Sequence, residues 1–394
     1  MKILQVISSF PPAYAYGGPA KVAYELSKEL VKIGHDVTVY TTDVYNSKSR
    51  GKYDTNPIWL DGIEIYHFKN LSNTLAHNNF PFAPFIAKAL NDRLEDFDII
   101  HLHEYRSFQS LILHYFATKK RVPYVLQAHG SVPRIMRMEK LKSLYDTIRG
   151  YDIINDASKI FALTNTEAKS YVEMGANINK IEIVQNGLKL SDYINLPTRG
   201  KFRKKYSIGL DDKVILSLSR LHKIKGIELL VDAFAGLSKE LGKIKLVIVG
   251  PDEGLLPLLK AKARKLNVEQ DIIFTGPIYE QDDKLSAYVD ADVYVLASIY
   301  ETFPMTILEA CACGIPIITT DRCGIADIID NNVGYVVEYD KDQLRDSIYQ
   351  ILSNKEASKE FSKCGPNLVM NKFEFTVVTR RIETIYQQII NNRS

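Results

Sequence analysis

The sequence predicts an α/β protein made of two successive doubly wound domains with a cleft between them. Three observations carry this. Short β-branched runs alternate with amphipathic helical runs along the chain, the alternation restarts after residue 192, and the stretch 195–200 between the halves holds the Pro and Gly of a linker. At 394 residues the chain is long for one domain and comfortable for two. The implied boundaries are 1–192, 193–374 and a terminal helix over 375–394. Apolar content of 46% and charged content of 25% are those of a soluble globular protein. A net charge of +3 is too small to argue for nucleic acid.

Each element has its own signal. Residues 3–7 read as the first strand, followed by a turn-rich loop over 11–19 that contains Gly17 and Gly18. Val22, Leu26, Leu30 and Ile33 fall at helical spacing, and Gly34 ends that helix. Strands follow at 36–40, 99–102, 124–127, 160–163 and 181–184. The second half repeats the pattern with strands at 214–218, 245–249, 272–274, 293–297 and 315–319, and a helix over 227–235 behind Gly226. A last helix spans 375–390; its residues do not show which domain it joins, and packing back on the N-terminal domain is one arrangement. Neither half places a close G-x-G-x-x-G at a strand end, which weakens a dinucleotide reading.

No uncharged apolar run reaches the roughly 18 residues of a membrane span. The N-terminus passes directly into a strand, without the apolar region and cleavage site of a signal peptide, so a cytoplasmic location is expected. Cys311, Cys313, Cys323 and Cys364 show no paired metal spacing; Cys311 and Cys313 read as buried packing residues, and the set suits a reducing compartment.

The most informative segment is Glu301-Thr-Phe-Pro-Met-Thr-Ile-Leu-Glu309. Glu309 lies inside the apolar helical run 307–312, where a charge is costly unless it is paired. Glu301 lies in the loop between the strand 293–297 and that helix. A strand, a loop and a helix start are where α/β proteins seat phosphate groups. Backbone N–H groups for an anion beside two carboxylates for hydroxyls suit a sugar nucleotide, although the pair alone also fits two hydrolytic carboxylates. A second segment runs Ser219-Arg-Leu-His-Lys-Ile-Lys225-Gly226. Arg220 as a two-pronged fork and Lys225 as a point charge, beside a helix start, form a diphosphate clamp; the alternative is a basic loop facing water.

Together these segments resemble the retaining glycosyltransferases of family 4, the group 1 glycosyltransferases, which have the GT-B fold. Further pieces agree in order: Gly17-Gly18, Asp98-Ile-Ile-His101-Leu-His103, Gln127-Ala-His129-Gly130, Leu163-Thr164 with Glu167, Gln185-Asn186-Gly187, Phe274-Thr-Gly276 and Glu309-Ala-Cys-Ala-Cys-Gly314-Ile-Pro316. The resemblance covers residues 1 to about 375. It implies two Rossmann-like domains facing a central cleft, the first for the acceptor and the second for the donor.

The resemblance also implies roles. His129, Glu301, Arg220 and Lys225 form the catalytic set. Arg220 and Lys225 neutralise the leaving nucleoside diphosphate without a metal ion. Glu309 accepts from the ribose hydroxyls, Glu301 contacts the donor sugar, and His129 points toward that sugar. Gly18, Gly276, Ile278, Phe303, Met305, Thr306 and Ile307 complete the donor contacts, and His103 lies on the acceptor side. Pro304 stands where many family members have Gly, so phosphate contacts fall to the N–H groups of Met305, Thr306 and Ile307. The donor is a UDP- or GDP-linked hexose, with no separate cofactor. The acceptor is a glycan or a polyprenyl-linked saccharide in surface-polysaccharide or glycoconjugate synthesis. Retention would follow front-face attack, and donor contacts from both domains would require the cleft to close. A sugar-nucleotide 2-epimerase on the same fold and a non-catalytic nucleotide-sugar-binding subunit are the competing readings.

Two stretches suggest contact with an anionic membrane at its inner face. Residues 134–149 carry five basic and two acidic side chains, with Ile135, Met138, Leu141, Leu144 and Ile148 along one helical stripe. Residues 79–87 add three phenylalanines. The alternative is a helix packed on its own domain with its basic face in water.

Overall fold

A computed structural model describes residues 1–13, 18–45, 49–53, 56–77, 80–134 and 139–392. They form two compact units, residues 1–187 with 375–394, and residues 188–374. Gly17, Asn79, Ile135 and Met138 lie outside the described residues.

The first unit holds an eight-stranded sheet in the order β3-β4-β2-β1-β5-β6-β7-β8. The strands are β1 (Lys2–Val6), β2 (Asp36–Thr42), β3 (Ile58–Leu60), β4 (Ile63–Phe68), β5 (Ile99–Leu102), β6 (Tyr124–Gln127), β7 (Lys159–Ala162) and β8 (Ile181–Ile183). All pairings are parallel except β3 with β4. Parallel strands covered on both faces should be largely apolar, and in β1 Leu4 and Val6 enter one core cluster with Ile100, Leu102 and Leu126, while Ile3 enters another with Ile99, Val125 and Phe161; Lys2 at its start is exposed and Gln5 is a buried polar exception. This second face is covered by helix Gly18–Lys32 and by the C-terminal helix Phe375–Asn391, through Val378, Ile382, Ile385 and Tyr386. Packing thus resolves what the terminal helix's own sequence left open.

The second unit holds a six-stranded parallel sheet in the order β11-β10-β9-β12-β13-β14. Its strands are β9 (Lys213–Leu218), β10 (Ile244–Val249), β11 (Ile272–Gly276), β12 (Val293–Leu296), β13 (Ile317–Thr320) and β14 (Gly334–Val337). The chain enters this unit beside its exit, with the Leu188 N–H donating to the Phe373 carbonyl at 2.6 Å. Strands β3, β4 and β14 add to those expected. β13 begins at Ile317 rather than at 315, because Gly314 and Ile315 cap the preceding helix: their N–H groups donate to the carbonyls of Cys311 and Ala310 at 2.9 and 3.0 Å, and Gly314 has φ +70°.

Each sheet has one place where consecutive connections leave in opposite directions. In the first unit it falls between β1 and β5, in the second between β9 and β12. The crevice beyond the carboxyl ends of the strands at such a switch point is the usual ligand site of an open α/β sheet.

Candidate functional site

In the second unit the switch point brings the two motif segments together. The loop after β9 carries Arg220 and a single turn, Lys223–Lys225, capped by the His222 ring, whose Nδ1 accepts from the Ile224 N–H at 3.2 Å. Gly226 follows at φ +62°, and a Cβ there would stand 1.7 Å from the carbonyl oxygen of Ala297 at the end of β12. Gly250, after β10, makes a similar approach: its Cβ would stand 1.8 Å from the Ser219 carbonyl oxygen. Only glycine permits strand ends this close. The Gly250 N–H in turn donates to the carbonyl of Gly276 at 3.0 Å, which ties the end of β11 to the group. Ile278 follows that strand, half-buried, and Tyr279 beside it is 85% exposed.

Lys225 forms an ion pair with Glu301 across the β9 and β12 loops, and both side chains are largely buried. Arg220 pairs with both oxygens of Glu253 through Nη1, at 2.7 and 3.0 Å, in a more exposed setting. Exposed pairs contribute little, about 0–1 kcal/mol, so Arg220 can exchange this partner cheaply. Glu309 is 5% exposed on helix Met305–Ala312, and its charge is compensated. Lys284 Nζ donates to Oε1 at 2.6 Å, and Tyr288 Oη donates to Oε2 at 2.8 Å. Burial, then the neighbouring Glu309 charge, push the Tyr288 phenol well above its ordinary range, so it stays a donor.

The helix start between the carboxylates is built differently from the expectation. Pro304 precedes the helix with φ −77° and ψ 110°, and the Ile307 N–H donates back to its carbonyl at 3.1 Å. That leaves the N–H groups of Met305 and Thr306, not Ile307, at the head of the helix. Thr306 Oγ1 accepts from Tyr294 Oη at 2.7 Å. The Phe303 ring is 6% exposed and meets Phe373 edge-on at 5.8 Å, so its side chain is core. Cys311 and Cys313 are buried, and burial pushes each thiol up to about 12.

In the first unit the switch point holds a row of imidazoles. His101 and His103 stack at 4.0 Å, and His103 and His129 lie parallel at 5.4 Å. Gln5 Oε1 sits 2.5 Å from His103 Nε2, and His103 Nδ1 sits 3.1 Å from His129 Nε2. At the far end Tyr386 Oη, from the C-terminal helix, lies 2.6 Å from His101 Nδ1. Burial pushes the His129 imidazole down to about 3, so it is neutral near pH 7. His129 has φ +48° and Gly130 φ +82°; the Gly130 N–H donates to Glu167 Oε1 at 2.6 Å, while the Leu163 N–H donates to Glu167 Oε2 at 2.7 Å. Glu167 therefore holds the loop that presents His129. Gly18 opens helix Gly18–Lys32 with no atom within 4 Å of a Cβ position, so a backbone approach there is unobstructed among the described residues.

A cavity of about 250 Å³ opens at this end of the sheet, lined by Ser8, His103, Glu104, Arg106, His129 and Ser131 among others. A larger one, about 770 Å³, lies at the opposite end, beside the starts of β6 and β7, and includes none of the residues singled out by sequence. The smaller one is the better site, because it coincides with the switch point.

Sequence reasoning missed Lys284, Tyr288, Glu253, Gln5, Tyr386 and Glu104. Lys284 and Tyr288 were findable, being four residues apart on one face of helix Gln281–Val289. Gln5 and Tyr386 are paired with the histidines only by packing.

From residue 139 the basic stretch forms helix Glu139–Tyr145, continued by a π-helical turn, Asp146–Gly150, and by helix Tyr151–Asp156. Leu141, Leu144 and Ile148 are 56%, 55% and 60% exposed, so this stripe is not packed on its own domain. Arg134, counted with the basic face, instead donates from Nε to Asp146 Oδ2 at 2.8 Å. Phe85 is 59% exposed, whereas Phe82 packs edge-on against Phe108 at 4.8 Å. No described helix is long and apolar enough to cross a membrane.

Residues 16–192 match the family model Glycosyltransferase Family 4, and residues 198–367 match Glycosyl transferases group 1. An N-acetyl-alpha-D-glucosaminyl L-malate synthase of Bacillus anthracis is 24% identical, over 100% of this chain and 98% of the relative. An alpha-monoglucosyldiacylglycerol synthase of Streptococcus pneumoniae is 27% identical, over 85% and 75%. Among solved structures, Anabaena HepE in complex with UDP and glucose superposes with a TM-score of 0.77 at 18% identity, covering 98% of this chain and 100% of that one. That likeness shows the fold, GT-B.

Proposed function

The chain belongs to the group 1 glycosyltransferases of family 4, and from that premise we propose a retaining, metal-independent hexosyltransferase. It moves a hexosyl group from a UDP- or GDP-linked donor to a glycan or lipid-linked saccharide in surface-polysaccharide or glycoconjugate synthesis. The observation that carries the donor side is the Lys225–Glu301 pair at the second unit's switch point. A diphosphate takes over Lys225 and frees the Glu301 carboxylate to accept from sugar hydroxyls. Arg220 exchanges Glu253 for phosphate oxygens, and its fork matches two of them. The ribose diol donates to Glu309, which has about four lone-pair sites and uses two for Lys284 and Tyr288. Neutral His129 serves the donor sugar as a hydrogen-bonding group and not as a proton source.

These cations stabilise the developing diphosphate charge, so turnover is expected to survive EDTA. A panel of nucleotide sugars, with the product anomer read by NMR, tests the reading. Lys225→Ala and Glu301→Ala should each lose turnover by about 10²-fold or more. Unchanged turnover in both sinks the site assignment, an inverted anomer sinks retention, and a C2-epimerised nucleotide sugar favours the epimerase.

The exposed Leu141, Leu144 and Ile148 stripe, beside Lys140, Lys142 and Arg149, supports peripheral binding to an anionic bilayer. Binding to anionic vesicles that is released by salt is the expected result, and its absence at low salt removes the idea.

A further inference from the structure

The cavity at the first unit's switch point has a charge pattern that selects what it can hold. Of its lining residues among those described, Glu104 and Arg106 carry charge. Arg106 is committed: Nε and Nη2 donate to the two Asp146 oxygens at 2.8 Å each, Nη1 donates to the Ser131 carbonyl at 2.6 Å, and Nη2 also donates to the Val132 carbonyl at 2.8 Å. Burial works to raise the Asp146 carboxyl, but hydrogen bonds from Arg106, Arg134 and Tyr105 outweigh it and hold the group below the ordinary carboxylate range. The guanidinium thus balances a buried carboxylate, with four of its five N–H groups in use.

Glu104 is the opposite case. It is half-buried just beyond β5, and it accepts from the Ser8 N–H at 2.9 Å, from the Ser8 hydroxyl and from the Ser107 side chain. No cation pairs with it among the described residues, and burial raises its carboxyl. With three of its about four lone-pair directions taken, one remains for a further hydrogen-bond donor. His129 also lines this cavity, and its buried Nδ1 has no partner among the described residues. At about 250 Å³ the cavity is below the roughly 300–1,000 Å³ that engulfs a drug-sized ligand, which suits one ring.

We propose that this cavity holds the acceptor through one uncharged sugar ring with a hydroxyl that donates to Glu104, and that Glu104 excludes acceptors presenting a phosphate or carboxylate there. The proposal rests on the glycosyltransferase reading and names the acceptor class for it. A neutral ring supplies the further donor that Glu104 can take. An anion meets an uncompensated carboxylate with no uncommitted guanidinium fork to bind it.

The test uses the full chain, with binding of methyl hexosides and the matching hexose phosphates followed by ligand-observed NMR, and UDP binding measured in the same samples. The wild type should bind the neutral glycosides at least tenfold better than the phosphates. Glu104→Gln should reduce that ratio at least tenfold while leaving the UDP affinity within about twofold. A phosphate preference in the wild type overturns the proposal without any variant, as does an unchanged ratio in Glu104→Gln. Failure of glycosides to bind while UDP binds also overturns it and spares the donor reading. Glycoside binding with no UDP binding supports the cavity and removes the donor assignment instead.

Discussion

Replacing Gly226 by Ala tests how the second unit assembles its donor residues. The added Cβ would meet the Ala297 oxygen at 1.7 Å, against a practical minimum near 3.0 Å, so the β9 and β12 loops must separate by roughly 1.3 Å. Alanine at φ +62° adds about 1–2 kcal/mol of backbone cost. Forcing a packed contact apart adds about 1–3 kcal/mol. The sum, about 2–5 kcal/mol, corresponds to a melting temperature lower by roughly 10 °C for a unit of this size. Lys225 precedes the strained residue and Glu301 lies beyond β12, so their pairing should loosen. A misplacement near 1 Å is enough to reduce turnover by about 10²-fold. The control is Gly200→Ala, at φ +103° with no atom within 4 Å of the Cβ position, which carries the backbone cost alone. Both variants are followed by thermal unfolding and by donor turnover. If Gly226→Ala melts with the control and keeps wild-type turnover, the close-approach argument is wrong.

Three further outcomes follow from buried groups. Burial raises the Glu167 carboxyl from 4.5 to about 7 against the two N–H groups that lower it. Its contribution to stability is therefore fully present below pH 4.5 and is lost as pH rises through about 7, a change of about 3 kcal/mol. Unfolding measured across that range should lose this slope in Glu167→Gln, and an identical slope in the variant contradicts the assignment. Tyr386→Phe removes the hydroxyl beside His101 Nδ1 and should cost about 1–3 kcal/mol in denaturant unfolding, because a buried ring nitrogen loses its partner. An unchanged midpoint would show that this bond adds nothing net. Thiol labelling of the native protein at pH 8 should reach Cys364 first, since burial holds Cys311 and Cys313 near 12 and Cys323 near 11. Equal labelling rates would refute this.

How much was legible from sequence follows the range of the interactions involved. β5 and β6 have the bounds read from their apolar runs, because local alternation marks them. Ile315 has the β-branched side chain of a strand but caps a helix, since capping depends on backbone geometry that composition does not report. Phe303 stands inside the motif, and that its ring packs against Phe373, seventy residues later, is set by tertiary contact that no local pattern reports. Glu309 was legible as a buried charge needing a partner, and its partner, Lys284, emerged from another helix.

The sequence alone determined the α/β class, the two-part plan and the positions of Arg220, Lys225, Glu301, Glu309 and His129, because strand alternation, glycine placement and motif spacing are local. Tertiary structure alone decided who pairs with whom. Strand order placed the two motif loops at one switch point, the terminal helix brought Tyr386 to the histidine row, and Arg106 was committed to Asp146 while Glu104 was left facing a cavity. These are contacts between residues far apart in the chain, and their energies depend on burial and distance, which exist only once the sheets have formed.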